Sequence, residues 1–281
     1  MKRSLYILAA VLLFASCDKI EPDQYTIYAG PTLVWEQGST GAGYEPVQRA
    51  YVEKYTGPKC PNCPAADVTL DAAHQQYGSS LVVVSINHPK GQGEPFPGEP
   101  DMRTDDGTAW DNYFGINAIP TAYINRRTAT QYSGAMDNIK SDIGVVIAEN
   151  PVVGVTVGAN DEERDGTVDI TVNLVFAQSY NKPLTLTLAL IEDALAYRQI
   201  NGTEYIDDYV HNHMLRDVIT DLWGADIDCT GAKGEARRTT VSYTLPEGVV
   251  EDNCHIVAFV SDKASREVLN CDATVIHPAL P

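Results

Sequence analysis

Arg49-Ala-Tyr-Val-Glu-Lys-Tyr55 reads as a strand and passes at once into Thr56-Gly-Pro-Lys-Cys60-Pro-Asn-Cys63-Pro64. From Pro64 to Tyr77 the apolar residues Ala66, Leu70, Ala73 and Tyr77 recur at three and four positions, the period of a helix. Gly78-Ser-Ser then turns the chain into Leu81-Val-Val-Val-Ser-Ile-Asn87, a continuous apolar run of strand length. Strand, helix and strand with a short link predict a right-handed crossover and a parallel pair. Cys60 and Cys63 fall at the helix start, where two thiols at this spacing can close a disulfide without unwinding the helix. Unpaired amides and the helix dipole favour a thiolate on the first of them, and Lys59 adds a cation immediately before it.

Downstream, Pro89 to Asp106 is rich in Gly, Pro and acids and reads as a surface insertion. Trp110, Tyr113 and Phe114 suggest a short helix. Ile119-Pro120-Thr121 leads straight into a strand candidate ending at Asn125, and Met136, Ile139, Ile143 and Ile147 form a helical stripe that stops near Asn150-Pro151. Beyond Val152 the pattern changes. Val152–Val157, Thr167–Phe176, Leu184–Ile191, Thr239–Leu245, His255–Val260 and Glu267–Val275 read as strands, with turns at Asp165-Gly166 and Asn181-Lys-Pro183, a spacing that fits a β-sandwich. Val210 to Trp223 is ambiguous, because Met214, Leu215, Val218, Ile219 and Leu222 would also make one helical face. Upstream, Gln24 to Pro46 accommodates one or two short strands.

The front of the chain reads as an address. Lys2 and Arg3, the apolar run Leu5 to Phe14 and the small residues Ala15-Ser16 form a secretory leader. Phe-Ala-Ser-Cys17 at its end resembles the lipobox of bacterial lipoproteins, which implies cleavage after residue 16 and acylation of Cys17. The alternative is an ordinary export signal followed by a chance Cys. Acyl chains contribute about 0.8 kcal/mol per buried methylene, and two or more are needed to anchor stably. The composition, 281 residues with 44% hydrophobic and 21% charged, is that of a folded chain of one or two domains. A net charge of −18, with no basic run longer than Arg126–Arg127 or Arg237–Arg238, sets nucleic-acid binding aside.

A Cys-x-x-Cys pair between strand and helix is similar to the thioredoxin pattern. In such folds the Pro before the next strand is cis and lies beside the dithiol, a role that falls on Pro120. Half of a zinc site is the bland reading of two Cys at this spacing, but no second close Cys/His pair follows; His211 and His213 lie far along the chain, and a strand with both His on one face accounts for them. Asp101, Asp105, Asp106 and Gly107 match no calcium loop. No metal and no cofactor is therefore expected. A structural disulfide remains the main alternative to a reactive one, since an exported compartment oxidises thiols whether or not they turn over.

The residues from Val52 to the C-terminus resemble the Bacteroidetes envelope lipoproteins related to the twenty-eight-kilodalton outer-membrane protein. The resemblance is carried by Val52 to Pro64, Ser85-Ile-Asn-His88, Tyr113 to Arg126, His211-Asn-His-Met-Leu-Arg216, Val257-Ala-Phe-Val260 and Glu267-Val-Leu269. It implies an α/β thioredoxin-like domain followed by an all-β immunoglobulin-like sandwich, and an extended Val210–Trp223. The expected division is a signal peptide over 1–16, an anchor and tether over 17–45, a thioredoxin-like domain over 46–150 and an immunoglobulin-like domain over 151–281. By thioredoxin logic Cys60 attacks and Cys63 resolves. Glu53, seven residues before Cys60 rather than the usual six, would be the buried acid that helps Cys63. His88, at the end of a parallel strand, would face the reactive edge. Lys59 replaces the usual aromatic, and Pro-Asn between the thiols lacks the His of strong oxidants.

The expected function is thiol–disulfide exchange with extracytoplasmic proteins by a lipoprotein held to the outer membrane of a Gram-negative envelope through Cys17. The alternative is a non-enzymatic surface binding or adhesion protein whose disulfide is structural. Among Cys229, Cys254 and Cys271 one bridge is expected, with three pairings open.

Overall fold

The structure, a computed structural model, describes residues 30–39, 44–127, 131–134 and 136–278; the leader and Cys17 lie outside them. Among the described residues the chain is mostly β with few helices. In chain order the elements are β1 (Glu36–Gln37), β2 (Ala50–Thr56), α1 (Cys63–Tyr77), β3 (Leu81–Asn87), α2 (Asp105–Phe114), β4 (Thr121–Ile124), β5 (Gln131–Ser133) and α3 (Ile139–Ile147). There follow β6 (Val153–Asp161), β7 (Thr167–Phe176), β8 (Leu184–Glu192), β9 (Leu195–Asn201), β10 (Glu204–His211), β11 (Met214–Val218), β12 (Ala225–Asp226), β13 (Ala236–Thr244), β14 (Cys254–Asp262), β15 (Val268–Val275) and β16 (His277–Pro278).

β2 and β3 pair in parallel, from Ala50 opposite Leu81 to Thr56 opposite Asn87, as the strand–helix–strand pattern requires. β4 lies antiparallel on the other side of β2 and carries β5 at its edge. The sheet does not stop at residue 151. β11 pairs with β3 in parallel and with β8 antiparallel, so one nine-stranded sheet runs β15-β14-β8-β11-β3-β2-β4-β5, with β12 on the side of β8. A second sheet, β1-β13-β7-β6-β16, covers one face of the β14–β8 region, and β9 and β10 form a hairpin that pairs with neither sheet.

The alternation of residues sorts the cores. In β6 and β7, Val155, Val157, Ile170 and Leu174 point inward and meet Leu186, Leu188, Ile256 and Ala258 from β8 and β14. The other faces of β8 and β14 present Ala189, Ile191, Val257 and Phe259 to a second core with Tyr51, Tyr55 and Trp110. Burial on both faces explains why β8 reads as a continuous apolar run rather than an alternating one. Beneath α1 and α3, the opposite face of β2–β4 buries Ala50, Val52, Val83, Ala122 and Ile124 against Ala66, Leu70, Ile139 and Ile143.

The ambiguous segment is extended. Its apparent helical face arises because β11, lying between β3 and β8, is buried on both sides: Met214 joins one cluster, Leu215 and Val218 a second, and Ile219 just beyond the strand a third. The expected bridge among the remaining cysteines is corrected, since Cys229, Cys254 and Cys271 are all free thiols. Cys271 stands opposite Phe259, five positions along β14 from Cys254, a separation of about 17 Å at the rise of a strand and far beyond disulfide reach. Burial pushes the Cys254 thiol up to about 12 and raises that of Cys271 further, so both are inert hydrophobes.

Asn270 ties the chain together. It is fully buried; its Nδ2 donates to the carbonyls of Val47 (2.8 Å) and Val153 (2.7 Å), and its Oδ1 accepts from the amides of Arg49 (2.9 Å) and Cys271 (2.9 Å). Asn270→Ala leaves buried backbone groups without partners at about 1–3 kcal/mol each. The expected result is a clear fall in the urea midpoint with unchanged secondary structure; an unaltered midpoint would remove this tie from the account.

Candidate functional site

Cys60 and Cys63 form a disulfide with Sγ–Sγ of 2.14 Å and Cα–Cα of 5.4 Å. The motif leaves the end of β2 through a turn in which the Cys60 amide donates to the Gly57 carbonyl (3.1 Å) and the Cys63 amide to the Cys60 carbonyl (3.3 Å). Pro64 occupies the first turn of α1, where a missing N–H costs nothing. The Ile119–Pro120 peptide bond is cis. Pro120 is buried, and the pairing of Tyr55 with Thr121 sets it beside Thr56, at the strand end from which the motif departs.

Both sulfur-bearing residues are sealed: Cys60 is 0% and Cys63 1% exposed. Two pieces of chain cover them. From one side comes the 89–104 segment, in which the Gln92 carbonyl accepts from the Lys59 amide (2.9 Å). Gly57 lies so close to Gln92 and Gly93 that a Cβ would come within 2.4 Å of backbone. The Lys59 ammonium sits over the Phe96 ring, 5.6 Å from its centroid. From the other side comes the β9–β10 hairpin. Ile200 N donates to Pro58 O (2.8 Å), Gly202 N to Pro61 O (2.9 Å), and the buried Gln199 amide to the carbonyls of Cys60 (2.9 Å) and Gly57 (3.3 Å). Sequence reading missed this hairpin, although Asn201-Gly202 between two β-prone runs is a strong hairpin signal.

Glu53 needs a correction. With Tyr51 and Tyr55 it points to the face of β2 away from α1, and its carboxylate accepts from Tyr55 Oη (2.5 Å) and Arg126 Nε (2.5 Å). Arg126 is itself buried, its guanidinium 4.4 Å from the Trp110 ring and 5.0 Å from that of Phe259. Strand parity puts Lys54, not Glu53, on the side of α1. There the Lys54 ammonium pairs with Asp67, one helical turn beyond Cys63, and Asp67 also accepts from Tyr209 Oη of the hairpin (2.8 Å). His88 donates its amide to the Thr56 carbonyl (2.9 Å), and its Nδ1 meets the Asp111 carboxylate at 2.8 Å. Burial raises the pKa of Asp111. The His88–Asp111 pair lines an open cleft of about 390 Å³ with Asn112 and Asn117, and neither cysteine lines that cleft. The structure therefore gathers Cys60, Cys63 and Pro120 at one strand end, brings His88 alongside by its backbone, and leaves Glu53 on the far face.

His211 and His213 both border the pocket between α1 and the hairpin, together with Lys54, Asp67 and Asp71. His211 is buried against Tyr209 and Tyr197, whereas His213 pairs with Asp193 (3.2 Å), which also meets His255 (3.1 Å). Among the described residues no three His, Cys, Asp or Glu side chains are arranged to hold a metal ion.

The model of the family described as outer membrane protein Omp28 matches residues 107–279. The chain belongs to the Omp28 family. Membership places it in the outer membrane of the cell envelope. The match begins after Cys63, so it rests on the later part of the chain and not on the dithiol. In structure, HBP35 of Porphyromonas gingivalis aligns with a TM-score of 0.68 at 17% identity, over 84% of this chain and 79% of that one, a likeness of fold alone. A domain of the outer membrane lipoprotein Omp28 from Porphyromonas gingivalis also aligns, with a TM-score of 0.32 and 21% identity over 46% of this chain and 92% of that domain. No curated protein matches the chain. Among the described residues no helix is long and apolar enough to cross a membrane.

The pocket between α1 and the hairpin carries a pH dependence. Burial, assisted by the Lys54 ammonium, pushes the His211 imidazole down to about 4. A base whose folded pKa lies below its unfolded value near 6.5 contributes stability that is fully present above about pH 6.5 and is lost as pH falls towards 4. At about 1.4 kcal/mol per pH unit the loss by pH 4 is about 3 kcal/mol. Urea midpoints at pH 7 and pH 4.5 are expected to differ more for the wild type than for His211→Gln; equal differences would refute the assignment.

Proposed function

We propose that the Omp28-family chain is an envelope lipoprotein in which a thioredoxin-like unit, residues 46–150, is carried on an immunoglobulin-like sandwich, residues 151–281, and exchanges disulfides with extracytoplasmic proteins. The observation that carries this reading is the closed Cys60–Cys63 disulfide at the amino end of α1, in a parallel β2–α1–β3 unit with Pro120 beside it. Exposed amides at a helix start stabilise a departing or attacking thiolate, which is what exchange at Cys60 requires.

Starting from the oxidised pair, a client thiolate attacks Cys60 Sγ, the Sγ–Sγ bond breaks, and Cys63 leaves as a thiolate that takes up a proton. A second client thiolate then attacks the client sulfur of the mixed disulfide and releases Cys60. The client dithiol has lost two electrons and two protons, and the pair has gained them. The reverse sequence begins with Cys60 thiolate on a client disulfide and ends with Cys63 displacing the product. Cys17, acylated after removal of residues 1–16, is the membrane attachment in this reading.

A second reading, a surface-binding lipoprotein with a structural disulfide, is favoured by one observation, the near-complete burial of both cysteines. The two separate on a trap. With Cys63→Ser, Cys60 is expected to retain client proteins from envelope extracts as mixed disulfides that dithiothreitol releases, while Cys60→Ser/Cys63→Ser retains none. An empty trap in a folded variant rejects exchange and leaves the structural reading. Independently, Cys17→Ser is expected to move the protein from the membrane pellet to the soluble fraction.

A further inference from the structure

The hairpin Leu195–His211 is an elaboration of the connection between two neighbouring strands, β8 and β11, yet it pairs with neither sheet. At its base Ala194 and His213 both take left-handed backbone conformations, φ +59° and +60°, uncommon for residues other than glycine. Asn212 Oδ1 accepts from the Ala194 amide (3.0 Å), and Asp193 Oδ1 from the His213 amide (2.6 Å), so the two crossing points are pinned as a pair. Above that base the hairpin buries little: Leu195, Gln199 and His211 are its buried side chains, and Tyr205 and Val210 are exposed. Its grip on the disulfide is polar, through the amides of Ile200 and Gly202, the Gln199 side chain and the Tyr209 hydroxyl on Asp67. The hairpin also meets the 89–104 segment, where the Arg198 amide donates to the Glu99 carboxylate (3.1 Å) and Tyr205 lies against the Phe96 ring, and at its base Leu195 and Tyr197 pack on Met102 and Met214. A unit outside both sheets with so small a buried apolar area belongs to the low-stability end of a structure, where local opening precedes global unfolding.

We infer that the β9–β10 hairpin is a hinged cover that gates the Cys60–Cys63 disulfide, swinging about Ala194 and His213 to admit a reactant thiol while β8 and β11 stay in the sheet. The hairpin donates to the carbonyls of Gly57, Pro58, Cys60 and Pro61, and thereby occupies the main-chain positions that surround the two sulfurs. In the closed state no thiol reaches Cys60. In the open state those carbonyls are released together with the sulfur, so an extended segment of a client chain meets unpaired acceptors beside the disulfide. The purpose of the gate rests on the exchange reading; its existence does not.

The test uses the full chain and no client. The double variant Gln199→Ala/Tyr209→Phe removes the side-chain bonds from the hairpin to the motif and to α1 and leaves the cysteines untouched. Reduction by dithiothreitol is followed by alkylation and mass spectrometry of the peptide carrying Cys60 and Cys63. The expected result is reduction about tenfold faster than in the wild type, from the loss of these hydrogen bonds. An unchanged rate in the folded variant overturns the gate. A measurement on the wild type guards against a variant that fails to fold: the Ile200 and Gly202 amides are expected to exchange hydrogen at least about a hundredfold faster than the β3 amide of Val84. Equal protection also overturns it. Adding Cys63→Ser to the loosened hairpin separates the two claims. Faster reduction with an empty trap keeps the gate and discards exchange, whereas a filled trap with unaltered reduction keeps exchange and discards the gate.

Discussion

β11 sits between β3 and β8, and the rest of the molecule is arranged around that insertion. The Ser85 amide donates to the His213 carbonyl at 2.7 Å where the strand enters, and Met214 aligns with Ser85 on one side and Glu192 on the other. One sheet therefore serves both halves of the chain, and β8 and β14 must be apolar on both faces. Each such fully buried aliphatic or aromatic side chain contributes about 1.5–3 kcal/mol, and Trp110 crosses the junction as well, its Nε1 donating to the Leu222 carbonyl at 3.0 Å. The same insertion decides where the β8–β11 connection can go. It leaves the sheet beside Ser85, where Met214 meets both Ser85 and Glu192, on the side of the amino ends of β2 and β3, and the hairpin turns back to reach Pro58 and Pro61.

How much of this was legible in the chain depends on whether a residue's surroundings are local. The helix after Cys63, the β2–β3 pair and the strands of the second half could be read because period and turn residues are local properties; Ala66, Leu70 and Ala73 face the core as their spacing requires. Glu53 was misjudged because an offset counted from Cys60 ignores the parity of the strand; one position decides whether a side chain meets α1 or the aromatic core. Lys54, at the offset where an acid was expected, is the residue on the side of α1 and brings Asp67 as its counter-ion. β11 resembled a helix because burial on two sides erases alternation. Neither Asp111 beside His88 nor the layer over the cysteines could be found from spacing, since both join segments remote in sequence. The Asn201-Gly202 turn was the one local trace of the hairpin.

Burial of a disulfide does not by itself separate a structural link from an exchanging one, because the chemistry of the two sulfurs is the same in both. The difference lies in how much structure must be undone before a thiolate can reach Cys60. If exposure required the whole fold to open, its cost would be the global stability, about 5–15 kcal/mol for an ordinary domain, and the link would be inert. Here the parts that exclude solvent on one side are a two-stranded hairpin with three buried side chains, hung from two left-handed residues and sharing no ladder with either sheet. Lifting it breaks the hydrogen bonds from Arg198, Gln199, Ile200, Gly202 and Tyr209 and the small contact of Leu195 and Tyr197 with Met102 and Met214, and leaves the two large apolar cores around β8 and β14 intact. The apparent reactivity of such a site is its intrinsic reactivity multiplied by the open fraction. Acid acts on that same fraction, because a protonated His211 favours any state in which the imidazole reaches water. The hairpin sequence, rather than the pair of residues between Cys60 and Cys63, then sets how readily this disulfide reacts.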